Sequence, residues 1–192
     1  LIKNLPISVG GQNCHYESYG AFTGEVSPKF LKDTGCEYVI IGHSERRTFN
    51  NESNDEIKSR VQSAIDANLK PIICVGENLV DREKGDACKF VEQQLIHCLP
   101  SNLKNSLIAY EPIWSIGTGK IPSEKYLNRT FDYLTQYCKK KYSFNPKILY
   151  GGSVNENNIK VLKNIYNCSG FLIGGASLKY KSFTNLIKNY YK

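Results

Sequence analysis

The chain has 192 residues, enough for one sizeable hydrophobic core and too few for two ordinary domains, so we expect residues 1–192 to form a single domain. Hydrophobic residues make up 41% and charged residues 22%, which is typical of a globular protein. No apolar run approaches the ~20 residues that a membrane-spanning helix needs. The net charge of +7 suits an anionic ligand, but the lysines are scattered and no nucleic-acid-binding motif is present, so we expect neither a nucleic acid nor a membrane as partner.

The cysteines indicate the redox compartment. Seven of them are spread along the chain with no C-x-x-C pair and no zinc-ligand spacing. An odd number in a chain of this length favours free thiols, so we expect a reducing, cytoplasmic location. Cys74 lies inside an apolar run and is interpreted as a small buried hydrophobic residue.

Short apolar runs recur along the chain and predict buried strands. They show little alternation of apolar and polar residues, which indicates a parallel sheet that is covered on both faces. In chain order the six predicted strands are residues 7–10, 38–42, 71–76, 107–110, 147–150 and 170–173.

Helical patterns separate these runs and carry their own start signals. Ser27 followed by Pro28 predicts an N-cap with proline at the first helical position. Ser53 and Glu56 predict a capping box, and Ser123 is expected to open a further helix. The last helix is predicted from one apolar face, formed by Phe183, Leu186, Ile187 and Tyr190.

The alternation of strand and helix, about six times over, predicts a parallel α/β protein. A (β/α) barrel and an open doubly wound sheet both fit this pattern. No G-x-G-x-x-G follows the first predicted strand, which argues against a dinucleotide-binding sheet. In both folds ligands bind at the C-terminal ends of the strands, so polar residues at those ends are the candidates for a functional site.

A glutamate, Glu111, stands at the C-terminal end of the fourth predicted strand. The residues behind it include Pro112, Trp114, Gly117 and Gly119, which are typical of a loop. A strand-end carboxylate in front of such a loop predicts a catalytic base beneath a closing lid. A strand that ends in an ordinary surface turn is the alternative.

His43 follows the second predicted strand and directly precedes a predicted helical turn. A helix N-terminus disfavours the imidazolium form, so we expect a neutral ring that donates a hydrogen bond to a substrate oxygen. His43 and Glu111 are therefore the candidate acid–base residues. The other histidines, His15 in a loop and His97 near a helix end, are interpreted as structural.

Glycine-containing loops follow the last two predicted strands. Gly151, Gly152 and Ser153 follow the fifth strand, and Gly174 and Gly175 follow the sixth. Glycine lets backbone N–H groups approach an anion closely, and each loop leads into a predicted helix. The two loops therefore predict a phosphate site of the kind that is common in barrel enzymes, with ordinary turns as the alternative.

Taken together, these segments resemble the triosephosphate isomerase family. The matching segments come in the family's order, and they are residues 12–14, 20–27, 42–47, 110–120, 150–153 and 174–178. The resemblance implies a TIM (β/α)8 barrel and an isomerase of glycolysis and gluconeogenesis. Such an enzyme interconverts dihydroxyacetone phosphate and D-glyceraldehyde 3-phosphate, a small phosphorylated triose, through an enediolate. No metal and no cofactor is implied.

The resemblance also implies a role for each matching residue. Glu111 matches the base that moves a proton between adjacent carbons, and His43 matches the neutral electrophile. Residues 112–120 match the lid. Glu45 matches a residue beside the histidine, with a structural ion pair as the alternative. The phosphate-binding residues implied are Gly117, Ser153, Gly174 and Gly175.

The chain departs from the family pattern in two places. The family barrel has eight βα units in ~250 residues, whereas six are predicted here and the first of them matches the family's third. We therefore expect an incomplete barrel of about six βα units, truncated at the N-terminus and inactive as an isolated chain. The second departure is Ser115, which stands where the family commonly has alanine.

The stretch from Asn13 to Val26 predicts a long loop, and long loops in compact domains usually have a function. In the family this loop inserts into a partner subunit, with the residue matching Thr23 near its tip. The resemblance therefore implies a homodimer.

Two other functions stay open on the residues alone. The glycine loops would also fit another phosphate-binding barrel isomerase, and the positive charge would fit a non-catalytic anion-binding protein. Glu111 with its lid and the segment 43–47 favour a triosephosphate isomerase over both.

Overall fold

The computed structural model describes residues 5–85, 87–103 and 105–192. In this part of the chain strands alternate with helices. The strands are β1 Gly10–Gly11, β2 Tyr38–Ile41, β3 Lys70–Val75, β4 Leu107–Tyr110, β5 Lys147–Tyr150 and β6 Cys168–Phe171. The α-helices are α1 Pro28–Asp33, α2 Ser44–Phe49, α3 Asn54–Asp66, α4 Leu79–Glu83, α5 Ala87–Cys98, α6 Glu124–Tyr142, α7 Ile159–Leu162 and α8 Tyr180–Tyr191. Short 3-10 turns lie at Ile113–Ser115 and Gly175–Ser177.

The order of the strands decides between the two folds that the sequence left open. The strands are hydrogen-bonded in chain order, β1-β2-β3-β4-β5-β6, with no reversal. β1 pairs in parallel with β2, β2 with β3, and β5 with β6. A doubly wound sheet reverses its order at a switch point, whereas a (β/α) barrel adds its strands one after another. The described residues therefore have barrel connectivity.

The predicted strands are confirmed in number and order; β4 and β5 have the predicted bounds, β2 and β3 differ by one residue at one or both ends, and the first and the last strand differ more. β1 is short because the run 7–10 is not buried on both faces: Ile7 and Val9 are 59% and 40% exposed. The Val9 carbonyl still accepts the backbone N–H groups of Glu37 and Tyr38, at 2.8 and 3.3 Å. β6 begins at Cys168, two residues earlier than predicted, and its pairing with β5 is irregular.

The chain forms two compact units, and the first comprises residues 1–74 and 94–107. The helix caps that the sequence predicts here are confirmed. Ser27 accepts the backbone N–H of Phe30 at the start of α1. Ser53 and Glu56 form the capping box of α3, each accepting the other's backbone N–H. The core of this unit contains Val39, Ile41, Ile57, Val61, Ala64, Ile73, Cys74, Leu95 and Cys98.

A buried arginine contacts both ends of the long loop in the first unit. Arg60 of α3 is 5% exposed, and its guanidinium donates to the backbone carbonyl of Cys14. Its nitrogens lie 3.6 Å from the Glu25 carboxylate and 3.5 Å from the Glu52 carboxylate. Because a buried charge must be paired and hydrogen-bonded, Arg60 ties both ends of the loop to α3.

The second unit comprises residues 75–93 and 108–192. Its longest helix, α6, begins where the sequence predicts, because Ser123 accepts the backbone N–H of Tyr126. Three lysines, residues 139–141, lie in the last turn of α6, where cations complement the helix dipole. The core of this unit contains Ile108, Tyr110, Leu127, Phe131, Leu134, Cys138, Ile148, Tyr150 and Ile159. No helix within the described ranges of the whole chain is long and apolar enough to cross a membrane.

The buried thiols predict how stability depends on pH. Burial raises the pKa of Cys138 to about 12, and that of Cys14 to about 12 as well. Both thiols ionise near pH ~8.5 in an unfolded chain, so above that pH the unfolded state binds fewer protons than the folded state. We expect the free energy of unfolding to fall as the pH rises from about 8.5, the unfolded value, to about 12, the folded value. Urea titrations at several pH values measure this slope.

Replacing Cys138 by alanine removes one of the two buried thiols that cause this pH dependence. We therefore expect Cys138→Ala to have a shallower pH slope, whatever its stability at neutral pH. Leu134→Ala, a cavity-forming change on the same helix, is the matched control and should keep the original slope. Equal slopes for Cys138→Ala and the unaltered protein would contradict the argument.

Candidate active site

Glu111 follows β4 directly and is only 2% exposed. Its backbone N–H donates to the carbonyl of Val75 at 2.8 Å, and the N–H of Gly151 donates to the carbonyl of Tyr110, also at 2.8 Å. These bonds bring the ends of β3 and β5 against the residue that follows β4. The carboxyl group of Glu111 therefore lies at the C-terminal end of three neighbouring strands.

Two glycines make this close approach possible. A Cβ atom on Gly76 would lie 1.7 Å from the backbone oxygen of Glu111. A Cβ atom on Gly151 would lie 2.9 Å from Cγ of Glu111. A side chain at position 76 would push the strand ends apart, and one at position 151 would displace the Glu111 side chain. The glycines that the sequence showed at strand ends thus hold Glu111 in a narrow, water-poor place.

The segment that follows Glu111 forms a short 3-10 turn and then a surface loop. Ser115 is fully buried, whereas residues 117–120 are exposed. Gly117 lies in the exposed part with a φ of +70°. The lid segment predicted at 112–120 is thus anchored at its beginning and open to solvent at its tip.

A second buried carboxylate, that of Glu77, binds the first residues of the predicted lid segment. Its side chain is completely buried and accepts three hydrogen bonds. The donors are the Tyr110 hydroxyl at 3.0 Å, the Trp114 indole N–H at 3.0 Å and the Tyr126 hydroxyl at 3.1 Å. Burial, and then the Glu77 carboxylate, raise the pKa of Tyr110 well above its usual range, so this hydroxyl stays a donor.

Arg82 completes the Glu77 cluster from α4. Its guanidinium lies 3.7 Å from the centre of the Trp114 ring and 4.5 Å from the centre of the Tyr126 ring. A cation over an aromatic face is attracted to the ring, so Arg82 adds to the contacts that fix Trp114. This cluster was not predicted from the sequence. The one signal for it in the sequence is a glutamate, Glu77, directly after the apolar run 71–76.

His43 belongs to the first unit and is the N-cap of α2, as its position predicts. Its Nδ1 accepts the backbone N–H of Glu45 at 3.3 Å. A ring nitrogen that accepts a hydrogen bond has no proton to donate, so Nε2 is the ring nitrogen that is left as a donor. The Glu45 carboxylate lies 3.9 Å from Nδ1 and is 70% exposed.

The glycine loops of the second unit differ in their surroundings. The loop after β5 is packed, and its Ser153 N–H points to the Ser115 hydroxyl at 3.4 Å. Gly174 and Gly175, after β6, have open space where a side chain would stand. The Ser177 hydroxyl donates to the carbonyl of Gly174 at 2.7 Å and shapes this second loop. The open loop leaves room for an anion.

Three features together define a (β/α)-barrel enzyme. They are the barrel connectivity, the buried carboxylate at a strand end and the glycine loops after the last two strands. Comparison with known proteins narrows this class. The family model for triosephosphate isomerase matches residues 1–190. The chain therefore belongs to the triosephosphate isomerase family, which confirms both the resemblance and the barrel fold expected from the sequence.

Individual relatives agree with the family model. A triosephosphate isomerase of Wolbachia sp. subsp. Brugia malayi is 46% identical over 185 residues, which is 96% of this chain and 76% of that protein. One of Ehrlichia chaffeensis is 45% identical over 181 residues, or 94% of this chain and 73% of that protein. The crystal structure of triosephosphate isomerase from Bartonella henselae matches with a TM-score of 0.88 at 37% identity, covering 97% of this chain and 78% of that one.

The Glu77 cluster predicts the effect of removing one charge. In Glu77→Gln the amide has a single acceptor oxygen, so at least one of the three donors loses its partner. We expect Glu77→Gln to lower the free energy of unfolding by about 1–3 kcal/mol, the usual cost of leaving a buried polar group unsatisfied. Urea titration followed by the fluorescence of Trp114, the only tryptophan, measures this.

Glu83→Gln, at an exposed position of α4, is the control and should change stability little. A Glu77→Gln protein as stable as the control would show that the three donors do not depend on the carboxylate.

Proposed function

We propose that this chain carries the acid–base residues of its family's site, which interconverts dihydroxyacetone phosphate and D-glyceraldehyde 3-phosphate, and that its six βα units need the family's first two units for activity. The observation that carries the proposal is the buried Glu111 at the end of β4, placed directly before an anchored lid segment. The relatives that are 41–46% identical and bear the name triosephosphate isomerase support it.

Glu111 is the proposed base. Its carboxylate takes the proton from the carbon beside the substrate carbonyl, which leaves an enediolate, and returns it to the neighbouring carbon. The carboxylate accounts for the proton that moves between the two carbons; a second proton must pass from the hydroxyl oxygen of one carbon to the former carbonyl oxygen of the other, which requires a hydrogen-bonding group at the oxygens. The narrow place between Gly76 and Gly151 supports this role, because a desolvated carboxylate is a stronger base than a hydrated one.

His43 is the proposed hydrogen-bond donor to the substrate oxygens. The acceptor role of its Nδ1 supports a neutral ring, so the donor is Nε2–H. A neutral imidazole beside a carboxylate base is the established pairing of this family. Glu45 is proposed to help orient the ring, through its backbone N–H and its nearby carboxylate.

Backbone N–H groups are proposed to hold the substrate phosphate. The open surroundings of Gly174 and Gly175 support their part in this, and Gly117 of the lid and Ser153 of the loop after β5 complete the proposed set. General acid–base help contributes about 10²–10⁴ in rate. The remainder must come from positioning and from electrostatic stabilisation of the enediolate.

The proposed assembly is a homodimer formed through the loop from Asn13 to Val26. Two aromatic residues of this loop support the proposal, because Tyr19 is 87% and Phe22 is 41% exposed although the loop's ends are firmly tied to Arg60. His15 stacks on Phe22 with ring centres 4.1 Å apart, so the aromatic surface is ordered before it meets a partner. The free thiols of the described cysteines support the proposed cytoplasmic location.

For the dimer we expect sedimentation at micromolar concentration to give twice the mass of the chain. Tyr19→Ser removes exposed apolar surface and should shift the balance towards the monomer, whereas Tyr166→Ser, an exposed tyrosine outside the loop, should not. A purely monomeric unaltered protein would contradict the proposed assembly.

For the base we expect Glu111→Asp, made in a form of the protein that is extended by the family's first two βα units, to lower turnover strongly while the affinity for inorganic phosphate stays nearly the same. The shorter side chain withdraws the carboxylate by about one methylene, and misplacement of that size can cost roughly 10²-fold. An isomerase assay and phosphate binding by calorimetry measure the two quantities. An unchanged turnover number would remove Glu111 from its proposed role, and Glu83→Asp on α4 is the matched control.

A further inference from the structure

Ser115 is a serine inside the lid segment whose side chain has no exposure to solvent. Its hydroxyl oxygen lies 2.7 Å from the carbonyl of Lys120, at the far end of the lid. It also lies 3.1 Å from the Tyr150 hydroxyl and 3.4 Å from the backbone N–H of Ser153, both in the segment at the end of β5. One buried oxygen therefore touches both ends of the lid and the neighbouring loop.

The hydrogen-bond capacity of a serine hydroxyl matches these three neighbours. Such a hydroxyl has one proton to donate and two lone pairs with which to accept. Lys120 offers only a carbonyl, so it takes the Ser115 proton. The Tyr150 hydroxyl is then the donor to one lone pair, and the Ser153 N–H faces the other across 3.4 Å, a long contact that it can exchange for a bound phosphate. Every hydrogen-bonding position of the Ser115 side chain is used.

The surrounding residues are shaped to admit this contact. Tyr150 is fully buried, and burial raises its pKa to about 12, so its hydroxyl keeps the proton that it donates. A Cβ atom on Gly152 would lie 2.3 Å from the Tyr150 hydroxyl oxygen and 2.9 Å from that of Ser115. A glycine at this position thus leaves space for the two hydroxyls, in addition to any part it has in binding an anion.

We propose that Ser115, with Tyr150 and the carbonyl of Lys120, forms a latch that holds the lid segment 112–120 on the loop after β5. Ser115 is a positioning residue in this proposal, since it acts through the lid and does not touch the substrate. The proposal rests on the proposed isomerase function for its effect on the reaction. The latch itself is a property of the folded chain and can be tested without substrate.

Alanine in place of Ser115 removes all three bonds at once. The buried hydroxyl of Tyr150 and the carbonyl of Lys120 then lose their partner, which favours lid conformations in which water reaches them. A looser lid covers the bound ligand less often, so ligands that need the lid bind more weakly. Inorganic phosphate is held mainly by the loops after β5 and β6 in the proposed site, with Gly117 as its one contact in the lid, so its binding should be affected less.

The test uses Trp114, the only tryptophan of the chain, as a reporter beside Ser115 in the lid. Quenching of its fluorescence by acrylamide is compared in the unaltered protein, Ser115→Ala, Tyr150→Phe and the double variant. We expect each single variant to raise the quenching constant about twofold. The double variant should show no larger effect than Ser115→Ala alone, because that variant already removes the bond between the two hydroxyls. Ser59→Ala, whose hydroxyl bonds within α3, is the control and should match the unaltered protein.

Ligand binding supplies the second measurement. Glycolate 2-phosphate carries a planar carboxylate in place of the enediolate, and we expect Ser115→Ala to bind it about tenfold more weakly, as the loss of ordinary buried hydrogen bonds would give. Binding of inorganic phosphate should stay within about twofold. If Ser115→Ala does not fold, the quenching and the ligand-binding measurements are both made on Tyr150→Phe.

Two results would overturn the latch. One is a lower melting temperature in both single variants with unchanged quenching, since that would show that the contact stabilises the fold but does not restrict the lid. The other is additive quenching effects, since those would show two independent hydroxyls. Failure of the unaltered protein to bind glycolate 2-phosphate would count against the proposed function instead, and the quenching series would still decide the latch.

Discussion

The second unit depends on the satisfaction of one buried charge, the carboxylate of Glu77. A carboxylate without exposure to water must accept hydrogen bonds, and here it accepts them from Tyr110 of β4, Trp114 of the lid and Tyr126 of α6. Three elements are thereby held to the end of β3. The lid begins from a rigid base because breaking any of these bonds would leave a buried polar group unpaired.

The same requirement explains how a flexible segment is combined with a precise carboxylate. Glu111 needs a fixed position and a dry surrounding, which the close backbone approach at Gly76 and Gly151 provides. The tip of the proposed lid, residues 117–120, is exposed to solvent. Buried polar contacts at Trp114 and Ser115 lie between the two regions, so a movement of the tip, as the proposed mechanism requires, need not disturb Glu111.

Ser115 shows how a family site adapts to a local change. The family commonly has alanine at this position, and a hydroxyl in a buried place would be unfavourable unless its donor and both acceptors were used. The carbonyl of Lys120, the hydroxyl of Tyr150 and the N–H of Ser153 use all of them. A substitution that looks conservative in the sequence thus adds connections between the lid and the neighbouring loop.

The sequence by itself determined what short-range patterns encode. The strands β4 and β5, the caps at Ser27, Ser53 and Ser123 and the alternation of strand and helix follow from residues near one another in the chain, as do the strand-end positions of His43 and Glu111. Only the tertiary structure decided the barrel order of the strands, the shortness of β1, the Glu77 cluster and the neighbours of Ser115. The hydroxyl pair Ser115–Tyr150 and the Trp114–Glu77 bond join residues 35 and 37 positions apart. No local period records such pairs, because they arise when separate strand ends meet and buried polar atoms must find partners there.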